Sequence, residues 1–265
     1  GTYDDMLDII SKYEVEEVII AIERSEKETI NKILTILENT DVIIKIIPEM
    51  QDYLLGRVKM TSIWQAPLIQ VTQGLMPPWQ QSIKRGLDIA ASLFALTLLF
   101  PVFLILAIII KLGSKGPVIY SQERIGINGE PFKMHKFRSM YADAEKAGPQ
   151  LSSKNDSRIT PIGKYMRKVR LDEIPQFYTV LKGDMSLVGY RPERQYFIDK
   201  ITEQAPEYRI LFKIKPGITS WGQVKYGYAE NVDEMVDRLK YDLLYIENMS
   251  LAVDFKIMIY TVLIV

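Results

Sequence analysis

Two adjacent carboxylates, Asp172 and Glu173, stand in the run Leu171-Asp172-Glu173-Ile174-Pro175, directly behind Lys164, Arg167, Lys168 and Arg170. The spacing predicts a helix from this run to Gly183, with Asp172 near its cap and Pro175 in its first turn. Carboxylates at a helix start beside cations make a place where a phosphate and a divalent cation can meet. The dipole and the arginines are expected to keep Asp172 ionised, as a nucleophilic carboxylate requires. A plain Asp N-cap explains the same spacing. Farther on, Gly189-Tyr190-Arg191-Pro192-Glu193 predicts another helix start, with Pro192 at its first position. Arg191 there can clamp a phosphate, or pair at the surface with Glu193 or Asp184. Lys215 to Gln223 reads as a turn-rich loop with one aromatic.

Composition narrows the chemistry. The chain of 265 residues has no cysteine and a single histidine, His135. Disulfides, thiolate nucleophiles and cysteine-ligated zinc are excluded, as is a multi-histidine metal site. Catalysis must rest mainly on carboxylates, Lys/Arg and Ser/Thr/Tyr hydroxyls, with or without a hard metal bound by oxygen, which favours phosphoryl or glycosyl chemistry. The balance of 33 Lys+Arg against 33 Asp+Glu hides a division. Gly1 to Met50 holds 12 acidic and 5 basic residues, net −7, whereas Lys111 to Arg194 holds 9 acidic and 16 basic, net +7. A basic central region suits phosphate esters or an anionic membrane surface.

The elements that must position these groups follow from periodicity. Tyr3 to Tyr13 and Ser25 to Glu38 read as amphipathic helices, and Glu17 to Ile22 and Val42 to Ile47 as buried strands. Residues 1–74 are therefore expected to be a partial α/β, Rossmann-like domain, whose apolar strands need cover on both faces. It has no glycine-rich phosphate loop. Beginning at Gly1 in polar sequence, the chain is expected to be a processed or truncated protein without a signal peptide at its front. Thr72 to Pro78 reads as a linker. Val118 to Met140 predicts a β-hairpin turning at Asn128-Gly129, with Lys133, Lys136 and Arg138 on its second arm. Thr160-Pro161 predicts a capped helix running to about Arg170.

Between linker and hairpin, Ile89 to Ile110 runs 22 residues without a charge, which as a straight helix covers about 33 Å. Pro101 near its centre predicts a kink, and both flanks are basic, with Lys84 and Arg85 before and Lys111 and Lys115 after. Charge at both ends favours a re-entrant helix that enters one leaflet and returns, with Ser92 or Thr97 satisfying the freed carbonyls. A full span and a buried core helix are the competing readings. Ser250 to Val265 is an apolar stripe that suits an interfacial helix, a partner contact or ordinary core.

Four motifs in order, KFRSM (Lys136 to Met140), RLDEIPQF…VLKGDMSLVG (Arg170 to Gly189), RPE (Arg191 to Glu193) and KPGITSWGQV (Lys215 to Val224), resemble the bacterial sugar transferases, monotopic polyprenyl-phosphate glycosyl-1-phosphate transferases. The resemblance covers about Trp79 to Val265. The amino-terminal piece and Tyr226 to Asn231 (YGYAEN) look like the large undecaprenyl-phosphate glucose or galactose phosphotransferases, without their transmembrane bundle. The fold implied is an α/β amino-terminal fragment, a linker and re-entrant membrane helix over 75–115, and a mostly α catalytic domain with a β-hairpin over 116–265. The reaction implied is transfer of hexose-1-phosphate from a UDP-sugar to undecaprenyl phosphate, releasing UMP through a phosphosugar-aspartyl intermediate. It would be the first membrane step of exopolysaccharide, O-antigen or capsule assembly, on the cytoplasmic face of a bacterial inner membrane.

By motif position the resemblance makes Asp172 the nucleophile. Glu173 would hold magnesium with Asp172 or assist proton transfer. Arg191, Pro192, Lys136, Arg138 and Arg167 would bind substrate. Tyr190 stands where many relatives have the first proline of Pro-Arg-Pro, and Phe100 where small relatives have Ser before the helix-breaking proline. The implied partners are UDP-hexose, undecaprenyl phosphate and membrane lipid; a homodimer is compatible and nucleic acid is not expected. A glycosyltransferase or hydrolase using the same carboxylates would release UDP or free sugar phosphate. A membrane-anchored scaffold of a polysaccharide assembly complex would show no thermal response to magnesium and UDP-sugar.

Overall fold

The computed structural model describes residues 5–22, 26–37, 40, 42–50, 52, 68–71, 76–144, 148, 150 and 156–264. The chain divides into two compact units, Gly1–Gly74 and Leu75–Val265. Residues 72–75 of the expected linker lie outside the described residues.

In the first unit, helices α1 (Met6–Tyr13) and α2 (Lys27–Leu37) alternate with strands β1 (Glu17–Ile20) and β2 (Ile43–Ile46), which pair in parallel. A third strand, β3 (Ile69–Val71), joins β2 antiparallel, a pairing that the local pattern does not announce. Ile20, Ile33, Leu37 and Ile44 form the core. Among the described residues the sheet is buried on one face, since Ile19 and Ile43 on the other are exposed.

The second unit is mostly helical, with two small sheets. It opens on α3 (Pro78–Leu98), which begins well before the uncharged stretch, followed by α4 (Phe100–Gly113) at a bend of 61°. The break is at Leu99 (φ −87°, ψ 3°), two residues before Pro101, because a proline is accommodated in a first helical turn. Thr97 Oγ1 donates to the Leu93 carbonyl at 2.8 Å, and Ser92 Oγ is buried without a hydrogen-bond partner, so neither hydroxyl serves the carbonyls that Pro101 frees. Lys84 and Arg85 also do more than flank. Lys84 pairs with Asp254 and donates to Val188 O at 2.9 Å. Arg85 donates to the Val180 and Leu181 carbonyls at 2.7 and 2.9 Å.

No single described helix is long and apolar enough to cross a membrane; the bent pair together has the length and composition. The inner stripe of α4, Leu106 and Ile110, packs on Phe137, Met166 and Ile174. Its outer face leaves Leu104, Ile105, Ile108 and Leu112 exposed, as α3 leaves Leu93, Phe94 and Leu98.

The hairpin pairs β4 (Ile119–Ile125) with β5 (Pro131–Phe137). Asn128 and Gly129 both have positive φ, 57° and 76°, and the closing Gly126 N to Glu130 O bond makes the loop longer than two residues. Helix α5 (Pro161–Lys168) starts at Thr160, whose Oγ1 accepts from Gly163 N at 3.0 Å. Helix α6 (Gln176–Lys182) ends on Gly183 in the left-handed region. Strand β6 (Ser186–Val188) pairs in parallel with β7 (Gly217–Thr219), which the sequence presents as loop. The remaining helices are α7 (Gln195–Gln204), α8 (Trp221–Lys225), α9 (Val232–Glu247) and α10 (Leu251–Ile264). Their shared core includes Tyr190, Ile201, Leu211, Tyr245 and Ile257. Asp254 and Ile257 are buried on α10, while Phe255, Ile259 and Val262 to Ile264 are exposed.

Candidate functional site

The carboxylate pair lies on a single 3₁₀ turn, Leu171–Glu173, separate from α6 and not at a helix cap. Arg170 enters it in the left-handed conformation, φ 54°, which for a side chain other than glycine costs about 1 kcal/mol and must be offset by the contacts that the turn makes. Arg170 folds back on Glu173, with Nε and Nη2 at 3.0 and 2.8 Å from Oε2. Lys136, from β5, donates to Glu173 Oε1 at 3.1 Å, and Arg191 stands 3.7 Å from the same oxygen. Three cations from separate parts of the chain thus converge on one buried carboxylate. Burial opposes its ionisation, yet Lys136, Arg191 and Arg170 together hold Glu173 well below the usual carboxylate range.

Asp172 is equally buried, at 6% exposure for each residue, and has the opposite fate. It makes no ion pair among the described residues. Burial, then the adjacent Glu173 charge, push its pKa up against the pull of Lys136 and Arg167. The expected pull of nearby cations is present, from Lys136 and Arg167, but burial and Glu173 outweigh it, and a one-turn element has little dipole to add.

Asp172 lines a cavity of about 560 Å³, within the usual size of ligand sites, and Glu173 does not. Lys136, Arg138, Arg167 and Arg191 also line it. Arg138, however, turns its guanidinium to the end of α4. Pro192 stays out of the lining; its carbonyl accepts from Arg124 Nη1 at 3.2 Å. Tyr190, the departure from Pro-Arg-Pro, is fully buried with its hydroxyl donating to Ile125 O at 3.2 Å. Helix α7 begins after Arg194, so Arg191 projects from the chain following β6, not from a helix start. Its carboxylate neighbour is Glu173, not Glu193 or Asp184 as a surface pair.

Arg124 and Arg238, which the motifs do not include, join Glu193 in the lining. Glu193 accepts from Arg124 Nη1 and Arg238 Nη2, each at 3.0 Å, and these pairs outweigh burial to hold its pKa down. All three residues line the cavity, as does Tyr228, whose ring lies 5.6 Å from the Arg191 guanidinium carbon. One signal was available: Arg238 and Asp242 interrupt the otherwise apolar stripe Met235, Leu239, Ile246 of α9, and a charge on a buried stripe needs a partner.

The donor set limits any metal. No group of three or more His, Cys, Asp or Glu suited to an ion occurs among the described residues. Both Glu173 oxygens are engaged by cations, so Glu173 does not fit the ligand role expected of it. Asp172 fits a magnesium ion that takes most of its other oxygens from substrate phosphates and water.

Known proteins place this arrangement. The family profile described as bacterial sugar transferase matches residues 79–265. A UDP-N-acetylgalactosamine-undecaprenyl-phosphate N-acetylgalactosaminephosphotransferase of Aeromonas hydrophila is 41% identical over 217 residues, 82% of this chain and 50% of the relative. UDP-glucose:undecaprenyl-phosphate glucose-1-phosphate transferases of Klebsiella pneumoniae and Escherichia coli K12 are 33% and 30% identical over 99% of this chain, and 59% and 57% of their own lengths. The chain thus spans between half and three fifths of the length of these relatives. With the ordered motifs, the carboxylate turn and the cationic cavity all inside the matched region, the chain belongs to the bacterial sugar transferase family.

Proposed function

We propose that this protein transfers a sugar-1-phosphate from a UDP-sugar to undecaprenyl phosphate by two displacements at one phosphorus. The observation that carries the reading is Asp172, a carboxylate without an ion pair among the described residues, in a cavity lined also by Lys136, Arg167 and Arg191. An Asp172 oxygen attacks the sugar-proximal phosphorus; the bond to the bridging oxygen breaks, and UMP leaves with that electron pair. A phosphate oxygen of the lipid then attacks the same phosphorus, expels the Asp172 carboxylate and yields undecaprenyl diphosphate sugar. Such a reaction needs positioning and charge neutralisation more than proton transfer, which suits a site without cysteine or histidine.

Arg167 and Arg191 hold the diphosphate from the Asp172 side, and Arg124 and Arg238 add positive potential from the Glu193 wall. Lys136 and Arg170 keep Glu173 charged, and Glu173 holds Arg191 toward Asp172. Asp172 would be the residue to hold a magnesium ion, which would supply neutralisation of negative charge on the substrate phosphates. The bent pair α3–α4 enters one leaflet and returns, so that the protein is monotopic on the cytoplasmic face of the inner membrane. The many exposed apolar side chains of α3, α4 and α10 support this, since large exposed apolar patches mark interaction or membrane surfaces. Relatives named for glucose and for N-acetylgalactosamine leave the sugar to experiment.

The test is product identity. Detergent-solubilised protein, magnesium, undecaprenyl phosphate and a panel of UDP-sugars are expected to release UMP with the sugar that reacts. Release of UDP would mean ordinary glycosyl transfer and would overturn the proposal.

A further inference from the structure

Arg138 follows β5 in the KFRSM motif and lines the cavity, yet its guanidinium is turned to the end of α4. Nη2 donates to Ile110 O at 3.2 Å, to Ser114 O at 2.8 Å and to Ser114 Oγ at 2.9 Å. Nη1 donates to Lys115 O at 3.1 Å. These acceptors are the last turn of α4 and the chain leaving it, where carbonyls lack helical partners and the dipole is negative. The exit turn is shaped around the guanidinium: Gly116 has φ +129°, and a Cβ placed on it would lie 2.1 Å from Arg138 Nη1. Two residues earlier on the same side of β5, Lys136 pairs with Glu173. One strand end therefore holds the carboxylate turn with one cation and the exit of α4 with the next.

We propose that Arg138 is a positioning residue that fixes the end of α4 relative to Asp172, so that a lipid phosphate presented along α4 meets the reacting phosphorus; it does not bind the donor diphosphate. The inference rests on the transfer reaction proposed above. A misplacement of about 1 Å far from the bond being made can cost about 10²-fold in rate, so a clamp here acts strongly on the lipid step.

The absence of cysteine makes a clean test possible. Leu112, 83% exposed near the end of α4, is replaced as Leu112→Cys in the protein reconstituted in phosphatidylethanolamine and phosphatidylglycerol vesicles with undecaprenyl phosphate. Three quantities are measured for Arg138→Gln and Gly116→Ala: maleimide labelling at position 112, KM for UDP-sugar in UMP release, and the rate of lipid-linked product formation. Both variants are expected to change labelling several-fold and slow lipid transfer about 10-fold or more, with the UDP-sugar KM within about twofold. Should Arg138→Gln fail to fold, Ser114→Ala, which removes one acceptor and keeps the charge, is expected to show the same split in smaller measure. A large rise in UDP-sugar KM for Arg138→Gln, with Gly116→Ala unchanged in all three, would overturn the proposal in favour of a donor-binding arginine. Unchanged labelling in both variants would overturn it as well. Labelling needs no turnover, so a wild-type protein that makes no lipid product sinks the transfer reading and still leaves the clamp measured.

Discussion

Two buried glutamates, Glu173 and Glu193, each gather cations at the cavity, and they differ in what they leave over. Glu193 lines the cavity together with its two partners, Arg124 and Arg238, so that group carries one net positive charge. Glu173 gathers Lys136, Arg170 and Arg191, and beside it stands Asp172, buried to the same degree with its pKa pushed up. The two adjacent carboxylates thus differ: Glu173 is surrounded by cations, and Asp172, without an ion pair among the described residues, lines the cavity. A buried charge that is not fully compensated is costly in a scaffold and useful in a nucleophile.

The strongest way to break this comparison is Asp172→Asn. UMP release is expected to fall by about 10³-fold or more, while the melting temperature at pH 7 holds or rises. The sign follows from the raised pKa: the stability associated with Asp172 is present at low pH and is lost as pH rises through its folded pKa, so removing the anion does not weaken the fold at neutrality. Glu193→Ala should act oppositely, costing about 3–5 kcal/mol by leaving Arg124 and Arg238 buried without their carboxylate. Denaturant unfolding measures it. Because the Glu193 pKa is lowered, its contribution is present above the unfolded value and fades as pH falls through the folded one.

Glu173→Gln sharpens the comparison within the dyad. The Glu173 charge raises the Asp172 pKa, so the variant should move the acid limb of the pH–rate profile to lower pH. A limb moving upward would mean that Glu173 serves Asp172 chiefly by recruiting cations. The smallest effect is expected for Tyr228→Ala, which removes the exposed ring beside Arg191. A contact of this kind is worth about 0.5–1 kcal/mol, or a few-fold in KM for UDP-sugar.

Local features could be read in advance. Thr160-Pro161 caps α5, Gly183 stops α6 and Asn128-Gly129 turns the hairpin because each needs only its neighbours in sequence. Ordered motifs identified the family. The parallel pairing of β6 with β7 was not legible, since it joins segments about thirty residues apart, one of which reads as loop. Nor was the division between Asp172 and Glu173, which arises from Lys136 and Arg191 arriving from distant parts of the chain. The contact of Arg138 with the end of α4 was hidden for a related reason: a cation among basic motifs suggests phosphate, and only the folded chain brings that helix end to it. The bend at Leu99 shows that Pro101 marks a break without being its site.

The central claim is that Asp172 is the nucleophile in the first displacement. The direct measurement is peptide mass spectrometry of protein mixed with magnesium and its reactive UDP-sugar, without lipid acceptor, and quenched in the cold. The account predicts a phosphosugar adduct on the peptide carrying Asp172, stoichiometric with UMP and discharged when undecaprenyl phosphate is added. UMP formed with lipid present but with no adduct on Asp172, or an adduct on another residue, would contradict it.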